Sequence, residues 1–358
     1  MNRPTLGRAA AFPALARLPH GAHPMVVLAN TLEQYQARSG DARVALAIGV
    51  FDGVHRGHRR IIQALLDIAR AQNAAPVVMT FEPHPRAVLF GPQNAPPRLT
   101  SRPAQLRILE TLGIRGVVVL EFTPELAALP PEAFVRRYLL AGPGRLCAVC
   151  VGESWRFGGG GRGTAGRLAE IGRKAGFAVV PAPQLWWHRL PVSSTRIRTC
   201  LRRGRLRTAA ALLGRPYTLY APVVRGKGLA GPQLQRPTAN LDARGLQLPP
   251  WGVYAARGRI AESASAPLGE TLPGIAYVGP AASLPGNPAP AHPAPSAAKV
   301  EIHFFTPQPA LYDRWIELEF VRFIRPDQRF PSPDALRRRI HHDIEIAKDI
   351  LACPGPAS

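Results

Sequence analysis

The amino-acid sequence predicts an α/β unit built on a parallel sheet, followed by an antiparallel all-β unit that closes with one long helix. Three observations carry this. From Val44 to about Arg203, apolar runs of strand length alternate with segments whose apolar residues recur at helical spacing, the rhythm of a sheet with helices on both faces. Beyond Tyr217 the rhythm changes, and five strand-like segments follow with no helix between them, as antiparallel pairing allows. Ser332-Pro333-Asp334 then supplies an N-cap hydroxyl, a proline at the first helical position and an acidic first turn, starting a helix that runs to about Leu351.

Taken in order, Val44–Ile48 is a buried strand and a helix follows it through Ile68. Pro76–Phe81 is the second strand, and Ser101–Leu112 a helix with Leu106, Leu109 and Leu112 on one face. Gly116–Phe122 is the third strand, Pro131–Leu140 a helix opened by proline, and Leu146–Val151 the fourth strand. A helix over Thr164–Ala175 leads to a fifth strand, Phe177–Val180, and Arg205–Leu213 is a helix stopped by Gly214. The second unit offers Thr218–Val224, Gly252–Ile260, Gly274–Val278, Val300–Phe305 and Trp315–Phe323 as strands. Pro280–Ala298, dense in Pro, Ala and Ser, reads as a flexible surface loop. The expected domains are therefore an N-terminal extension over 1–40, partly disordered, a first domain over 41–204, a linker helix over 205–216 and a second domain over 217–353.

Length supports two domains, since 358 residues exceed one ordinary core. Net charge is +22, and lysine occurs only at Lys174, Lys227, Lys299 and Lys348, so nearly all of the positive charge is arginine. Abundant Ala, Pro, Gly and Arg together fit a GC-rich coding bias. A basic surface still attracts phosphate-bearing small molecules and, nonspecifically, nucleic acid. A specific nucleic-acid partner is not expected, because aromatics do not interleave with the arginines as stacking platforms require. No apolar run reaches membrane-spanning length, so no membrane partner is expected. Cys147-Ala148-Val149-Cys150 has the spacing of a metal knuckle but lies in a strand, where residues three apart face opposite sides, and no second ligand pair follows. Buried thiols in a reducing cytoplasm are the expectation for it. The first 24 residues are Arg- and Ala-rich without acids, which superficially suits a transit peptide; a disordered extension, or a start at Met25, accounts for them equally well.

The chemistry concentrates in Gly49-Val50-Phe51-Asp52-Gly53-Val54-His55-Arg56-Gly57-His58. The order is strand, glycine-bearing turn, helix. That order sets His55 and His58 at a helix N-terminus, whose free N–H groups and positive dipole end bind phosphate. Gly53 and Gly57 let backbone approach a ligand closely. Imidazoles donate hydrogen bonds to phosphate oxygens and stabilise charge growing there. Thr80-Phe81-Glu82-Pro83-His84-Pro85 ends the second strand at the ligand-binding edge of such sheets. Glu153-Ser154-Trp155-Arg156-Phe157-Gly158 leads into a glycine run that implies a mobile loop. Val192-Ser193-Ser194-Thr195-Arg196-Ile197-Arg198 opens a basic helix whose hydroxyls serve either as caps or, with Arg198, as an anion site. In the second unit, Pro237-Thr238-Ala239-Asn240 offers a hydroxyl and an amide oxygen, both suited to Mg²⁺ already held by phosphates.

His-x-Gly-His resembles the nucleotidylyltransferase superfamily, and the longer string around Phe51-Asp52-Gly53-Val54-His55 resembles bacterial bifunctional riboflavin kinase/FAD synthetase. The resemblance runs from Val44 to Leu351. It implies a Rossmann-like nucleotidylyltransferase domain followed by a riboflavin-kinase-type antiparallel β-barrel with a C-terminal helix. It also implies ATP, riboflavin, FMN and FAD as substrates or products, with Mg²⁺. In the first domain it implies His55 and His58 as catalytic groups. ATP or its phosphates would be held by Gly49, Phe51, Asp52, Gly53, Gly57, Ser193, Ser194, Thr195 and Arg198. Flavin would meet Pro83, His84, Pro85, Ser154, Trp155 and Phe157. In the second it implies Gly231, Thr238 and Asn240 for ATP and magnesium, and Glu301 as the base. The chain departs from the family at Ser154, usually Asp or Asn, and at Trp155, usually Phe. It departs again over Pro232–Arg236 and Tyr277–Ser283, where the family has Gly-Arg-x-Leu-Gly-x and Asn-Ile-Gly-x-x-Pro-Thr. Four readings stand beside the bifunctional one: an adenylyltransferase with a degenerate barrel, a different His-x-Gly-His nucleotidylyltransferase, a basic nucleic-acid-binding protein, and a degenerate relative that binds flavin without making it.

Overall fold

A computed structural model describes residues 26–225, 238–280, 298–308 and 311–352. Six strands, β1 (Val27–Ala29), β2 (Arg43–Ile48), β3 (Ala75–Glu82), β4 (Gly116–Glu121), β5 (Arg145–Gly152) and β6 (Ala178–Ala182), form one sheet in the order β1-β4-β3-β2-β5-β6. Every neighbouring pair is parallel. The run Val44–Ile48 is wholly buried, as a parallel strand covered on both faces must be. Its alternate residues enter two different cores. Ala45 and Ala47 pack beneath Ile62, Leu65 and Ala69 of helix α2 (Arg56–Ala71), numbered after α1 (Leu32–Ser39). Val44, Leu46 and Ile48 face the other way, toward Phe134, Phe157 and Leu168.

Helices α3 (Pro85–Phe90), α4 (Arg102–Thr111), α5 (Pro124–Ala128) and α6 (Pro131–Phe134), the last continuing as a π-turn over Val135–Leu139, fill the connections after β3 and β4. Helix α7 (Ala165–Ala175) joins β5 to β6. A two-stranded hairpin, β7 (Trp186–Trp187) with β8 (Leu190–Pro191), precedes α8 (Ser194–Arg202) and α9 (Leu206–Leu213).

The second half is a closed barrel of β9 (Thr218–Val224), β10 (Ala239–Leu241), β11 (Gly252–Ala261), β12 (Leu272–Gly279), β13 (Lys299–Phe304) and β14 (Trp315–Pro326), with all pairs antiparallel and the order β10-β13-β12-β11-β14-β9. Period-two alternation decides its inside. Val300, Ile302 and Phe304 point into the barrel beside Tyr254, Ala276 and Leu318, while Lys299, Glu301 and His303 are only partly buried. Helix α10 (Pro333–Ala352) lays Ile344 and Ala347 on Val253, Ala255 and Ile275 of the outer face. Its Asp343, 1% exposed, accepts from Arg325 Nε at 2.8 Å.

Three expectations change. Residues 26–40 are not extension: β1 pairs with β4, and Thr31 caps α1 by accepting from the Gln34 N–H. A three-residue strand is too short to carry a period. The extension itself, residues 1–25, lies outside the described residues, as do most of the Pro280–Ala298 loop and Cys353. The barrel has a sixth strand, β10, beyond the five read from the sequence, and Asn240 lies in it. Finally, the stretch expected to be a linker is core: Ala209, Leu212 and Leu213 of α9 share one apolar cluster with Ile197 and Leu201 of α8 and with Leu219, Ala221, Tyr254 and Phe320 of the barrel. The two halves are welded together there. Ser101 Oγ donates to the Tyr220 carbonyl at 2.7 Å, and the Arg107 guanidinium lies over the Tyr220 ring at 4.9 Å.

Candidate active site

β2 ends mid-sheet, with β3 on one side and β5 on the other. The next strands go one way and β5 goes the other, so this edge is the switch point at which open α/β sheets bind ligands. The chain leaves it through a turn with φ of 50° at Phe51, 82° at Gly53 and 37° at Val54. At Gly53 a Cβ would also stand 2.8 Å from Leu99 Cδ1, so glycine is required twice over. Phe51 and Val54 tolerate positive φ because both are wholly buried, and packing offsets the backbone cost. Side chains tie the turn down. Gln105 Nε2 donates to the Val50 and Phe51 carbonyls, both at 3.0 Å. Thr80 Oγ1 donates to the Val50 carbonyl, and Thr100 Oγ1 accepts the Gly53 N–H.

His55 is the N-cap of α2, and its Nδ1 accepts the His58 N–H at 3.2 Å. The two rings stack with centroids 3.6 Å apart, and Phe51 meets His58 edge-on. Burial, then the positive charge of Arg215, lowers the His55 pKa to about 3, and burial carries that of His58 well below its usual value. Both are therefore neutral at pH 7. With Nδ1 of His55 committed as an acceptor, its proton sits on Nε2, the atom left to donate. The buried Nδ1 of His58 has no hydrogen-bond partner. Gly57 passes between: a Cβ there would lie 3.2 Å from the His55 ring and 3.5 Å from the Val192 carbonyl.

That carbonyl marks the arrival of α8, whose N-cap Ser193 accepts from the Arg196 N–H while Ser194 Oγ donates to the Asp52 carbonyl at 2.9 Å. Thr195 is exposed in its first turn. Two helix N-termini thus converge on the end of β2, an arrangement that attracts phosphate from both sides. A buried ion pair holds them together. Asp52 and Arg198 are 4% and 6% exposed and paired; Asp52 also accepts from the Leu99 N–H at 2.9 Å, and Arg198 Nε donates to the Pro97 carbonyl at 2.7 Å.

Three residues expected to contact nucleotide therefore do other work. Phe51 is core, and Asp52 and Arg198 neutralise each other beneath the turn, because charges so deeply buried must be paired. Gly49 lies against the Phe51 ring. On the flank beyond β3, Pro83 is exposed, and His84 caps α3 by accepting the Arg86 N–H with Pro85 in the first turn. Burial, then Arg198, lowers the His84 pKa. Glu82 is held by Arg98 and Arg102 at 2.5 and 2.6 Å. Ser154 is exposed, and Trp155 lies flat on Phe157, centroids 4.7 Å apart. Phe157 is buried against Phe134, so it backs Trp155 and offers no free face. The glycine run expected to be mobile is packed: the Gly159 N–H donates to the Leu129 carbonyl at 2.6 Å, and Phe157 and Gly163 exchange both backbone hydrogen bonds.

In the barrel, register brings together what sequence separates. Asn240 pairs directly with Glu301, and Glu301 with Tyr277 on its other side. Directly opposed residues project to the same face, here the outer one, since Ala239, Leu241, Val300 and Ile302 fill the interior. Thr238 stands one residue before β10. Burial raises the Glu301 carboxyl pKa against the lowering effect of Lys299, 3.8 Å away. Gly231 and the altered stretch Pro232–Arg236 lie outside the described residues.

Sequence reasoning missed Gln105 and Thr100. Gln105 had a signal, since it lies four residues before Leu109 on the apolar face of its helix; Thr100 had none. Cys147 and Cys150 are buried and free, and no group of three or more His, Cys, Asp or Glu able to hold a metal occurs among the described residues. Among those residues no helix is long and apolar enough to cross a membrane.

Residues 37–196 match the family model described as FAD synthetase, and residues 213–351 the one described as riboflavin kinase. The bifunctional riboflavin kinase/FMN adenylyltransferase of Escherichia coli (strain K12) is 34% identical over 313 residues, covering 87% of this chain and 94% of its own. The protein of the same name from Bacillus subtilis (strain 168) is 29% identical over 330 residues, 92% and 96% of the two chains. Among solved structures, one described as a macrolide-efflux protein from Streptococcus pneumoniae superposes with a TM-score of 0.71 at 24% identity, over 91% of this chain and 99% of that one. That likeness is one of fold.

Proposed function

The chain belongs to the bifunctional riboflavin kinase/FMN adenylyltransferase family, and from that premise we infer that it builds flavin cofactors in two steps. Its barrel transfers phosphate from ATP to riboflavin, giving FMN and ADP. Its α/β domain transfers AMP from ATP to FMN, giving FAD and pyrophosphate. The observation that carries the second step is the stacked, neutral His55–His58 pair where two helix N-termini meet.

In adenylyl transfer an FMN phosphate oxygen bonds to the α-phosphorus of ATP, and the bond to the bridging oxygen breaks with its electrons leaving on pyrophosphate. The attacking phosphate is already anionic, so no protein nucleophile is needed, and positioning with electrostatics suffices. His55 and His58 donate to the oxygens on which charge grows. The backbone from Gly49 to Gly57 and the α8 terminus at Ser193, Ser194 and Thr195 cradle the triphosphate. Asp52 and Arg198 fix the angle between the two helices. Trp155 offers its free face to the flavin ring beside Pro83, His84, Pro85 and Ser154, with Phe157 behind it.

In the barrel Glu301 takes the proton of the ribityl hydroxyl, and the burial that raises its carboxyl pKa makes it a stronger base than a solvated carboxylate. Thr238 and Asn240 supply hard oxygen donors, a set that fits Mg²⁺, which when bound would neutralise charge on the transferring phosphate. The proposed domains remain a FAD synthetase unit to about residue 204, a connecting helix, and a kinase unit from 217. Cys147, Cys150 and Cys200, buried and free among the described residues, suit a reducing cytoplasm. Incubation with riboflavin, ATP and Mg²⁺, followed by chromatographic separation of flavins, should give FMN and then FAD; unchanged riboflavin would sink the reading.

A further inference from the structure

The first turn of α2 meets the segment joining α9 to β9 on the flank of the His55 turn. A Cβ on Gly214 would lie 3.0 Å from Arg56 Cγ and 3.8 Å from Arg59 Nη1. The next residue, Arg215, lies within electrostatic reach of Arg59 and His55. Nε of Arg59 and Nη1 of Arg215 are both shut away from solvent, and neither makes a hydrogen bond. The neighbouring carboxylates are committed elsewhere: Asp52 to Arg198, and Glu317 to Arg259 Nε at 2.9 Å. Tyr217, which also faces Arg215, donates its hydroxyl to the Gln247 carbonyl. Two guanidinium groups within electrostatic reach of each other, each with a buried donor left over, are costly unless an anion lies against them.

The reaction supplies one. In-line displacement sets the attacking and leaving oxygens on opposite sides of the α-phosphorus. Trp155 and Phe157, the aromatic residues on the flavin side, belong to the core on one face of the sheet, and Arg59 rises from the helix that covers the other face. We propose that Arg59 and Arg215 grip the β- and γ-phosphates of ATP in the α/β half and so receive the departing pyrophosphate. This rests on the adenylyl-transfer reading above and deepens it. Arg215 lies on the segment that leads into the barrel, beyond α9. The FAD-forming site is therefore completed by a residue at the barrel's entrance.

The test is FAD formation from supplied FMN by the full-length Arg59→Ala and Arg215→Ala variants, with inorganic pyrophosphate as product inhibitor. Losing one charge-assisted hydrogen bond should raise the KM for ATP and the inhibition constant of pyrophosphate roughly tenfold or more, leaving the KM for FMN near wild type. Arg215→Lys should recover part of both. Wild-type pyrophosphate inhibition in both variants overturns the assignment. So does a raised KM for FMN with that for ATP unchanged, which would move the pair to the flavin phosphate. If Arg215→Ala does not fold, Arg59→Ala decides alone, since its side chain leaves the first turn of a helix. A wild-type chain that makes no FAD from FMN would instead sink the adenylyl-transfer reading, which keeps the two failures apart.

Discussion

The α/β half and the barrel build their sites by different means. In the first, the candidate site is a turn: ten consecutive residues from Gly49 to His58 leave a central strand, three of them at positive φ, and enter a helix capped by His55. In the second, the site is a register: Asn240 and Glu301 lie far apart in sequence and meet because two antiparallel strands pair them. A turn site works through backbone N–H groups and buried neutral rings, and depends on what is packed beneath it. A register site works through side chains on the outer wall of a closed barrel, whose alternate residues make the core. Changing one outward residue of the register site leaves the wall standing, whereas disturbing the support of the turn site disturbs the fold.

That contrast can be tested, beginning with the largest expected effect. Glu301→Gln keeps shape but cannot take a proton, and FMN formation should slow by about 10²–10⁴-fold, with the melting temperature close to wild type. A variant that melts much earlier would mean the outer wall is not independent of the core. Asp52→Ala strands the Arg198 charge beneath the turn and should cost about 3–5 kcal/mol of stability, read from urea unfolding. A near-neutral result would show that the pair does not hold the two helices. Next comes His58→Ala, which should lower FAD formation by about 10²–10³-fold while the chain still converts riboflavin to FMN. Equal loss of both activities would mean that the halves share one machinery.

A further test is pH dependence. His55 titrates at about 3 in the folded chain against about 6.5 when unfolded, so the unfolded state takes up the proton first as pH falls. Its contribution to stability is whole above pH 6.5 and is lost progressively down to about pH 3, by up to about 1.4 kcal/mol per pH unit. Urea midpoints at pH 7, 5 and 4 should fall less steeply in His55→Gln than in the parent. Parallel slopes would remove His55 from the acid response.

Much of this was legible beforehand because the relevant signals are local. The strands β2 to β6 are continuous apolar runs, α2 shows its period, and both the His55–His58 turn and the Ser193–Arg198 helix start are contiguous strings. Most of what escaped had no local signature. β1 is too short for a period, and so is β10, which becomes a strand only by pairing with β9 and β13. Trp155 looked free, and the glycine run after it mobile, because neither Phe157 beneath the one nor Leu129 against the other can be inferred from neighbours in sequence.

The sequence by itself determined the two architectures and the chemistry of each motif, since hydrophobic period and residue type act over a few residues and need no partner. Only the tertiary structure decided the state of each group. Burial makes the histidines neutral, and the approach of α8 turns Asp52 and Arg198 from ligand candidates into a strut. The cluster joining Ile197 and Leu213 to Tyr254 and Phe320 turns an expected linker into shared core. Desolvation and pairing depend on what lies a few ångströms away in space, and a chain that returns on itself after a hundred residues does not write those neighbours into any local stretch.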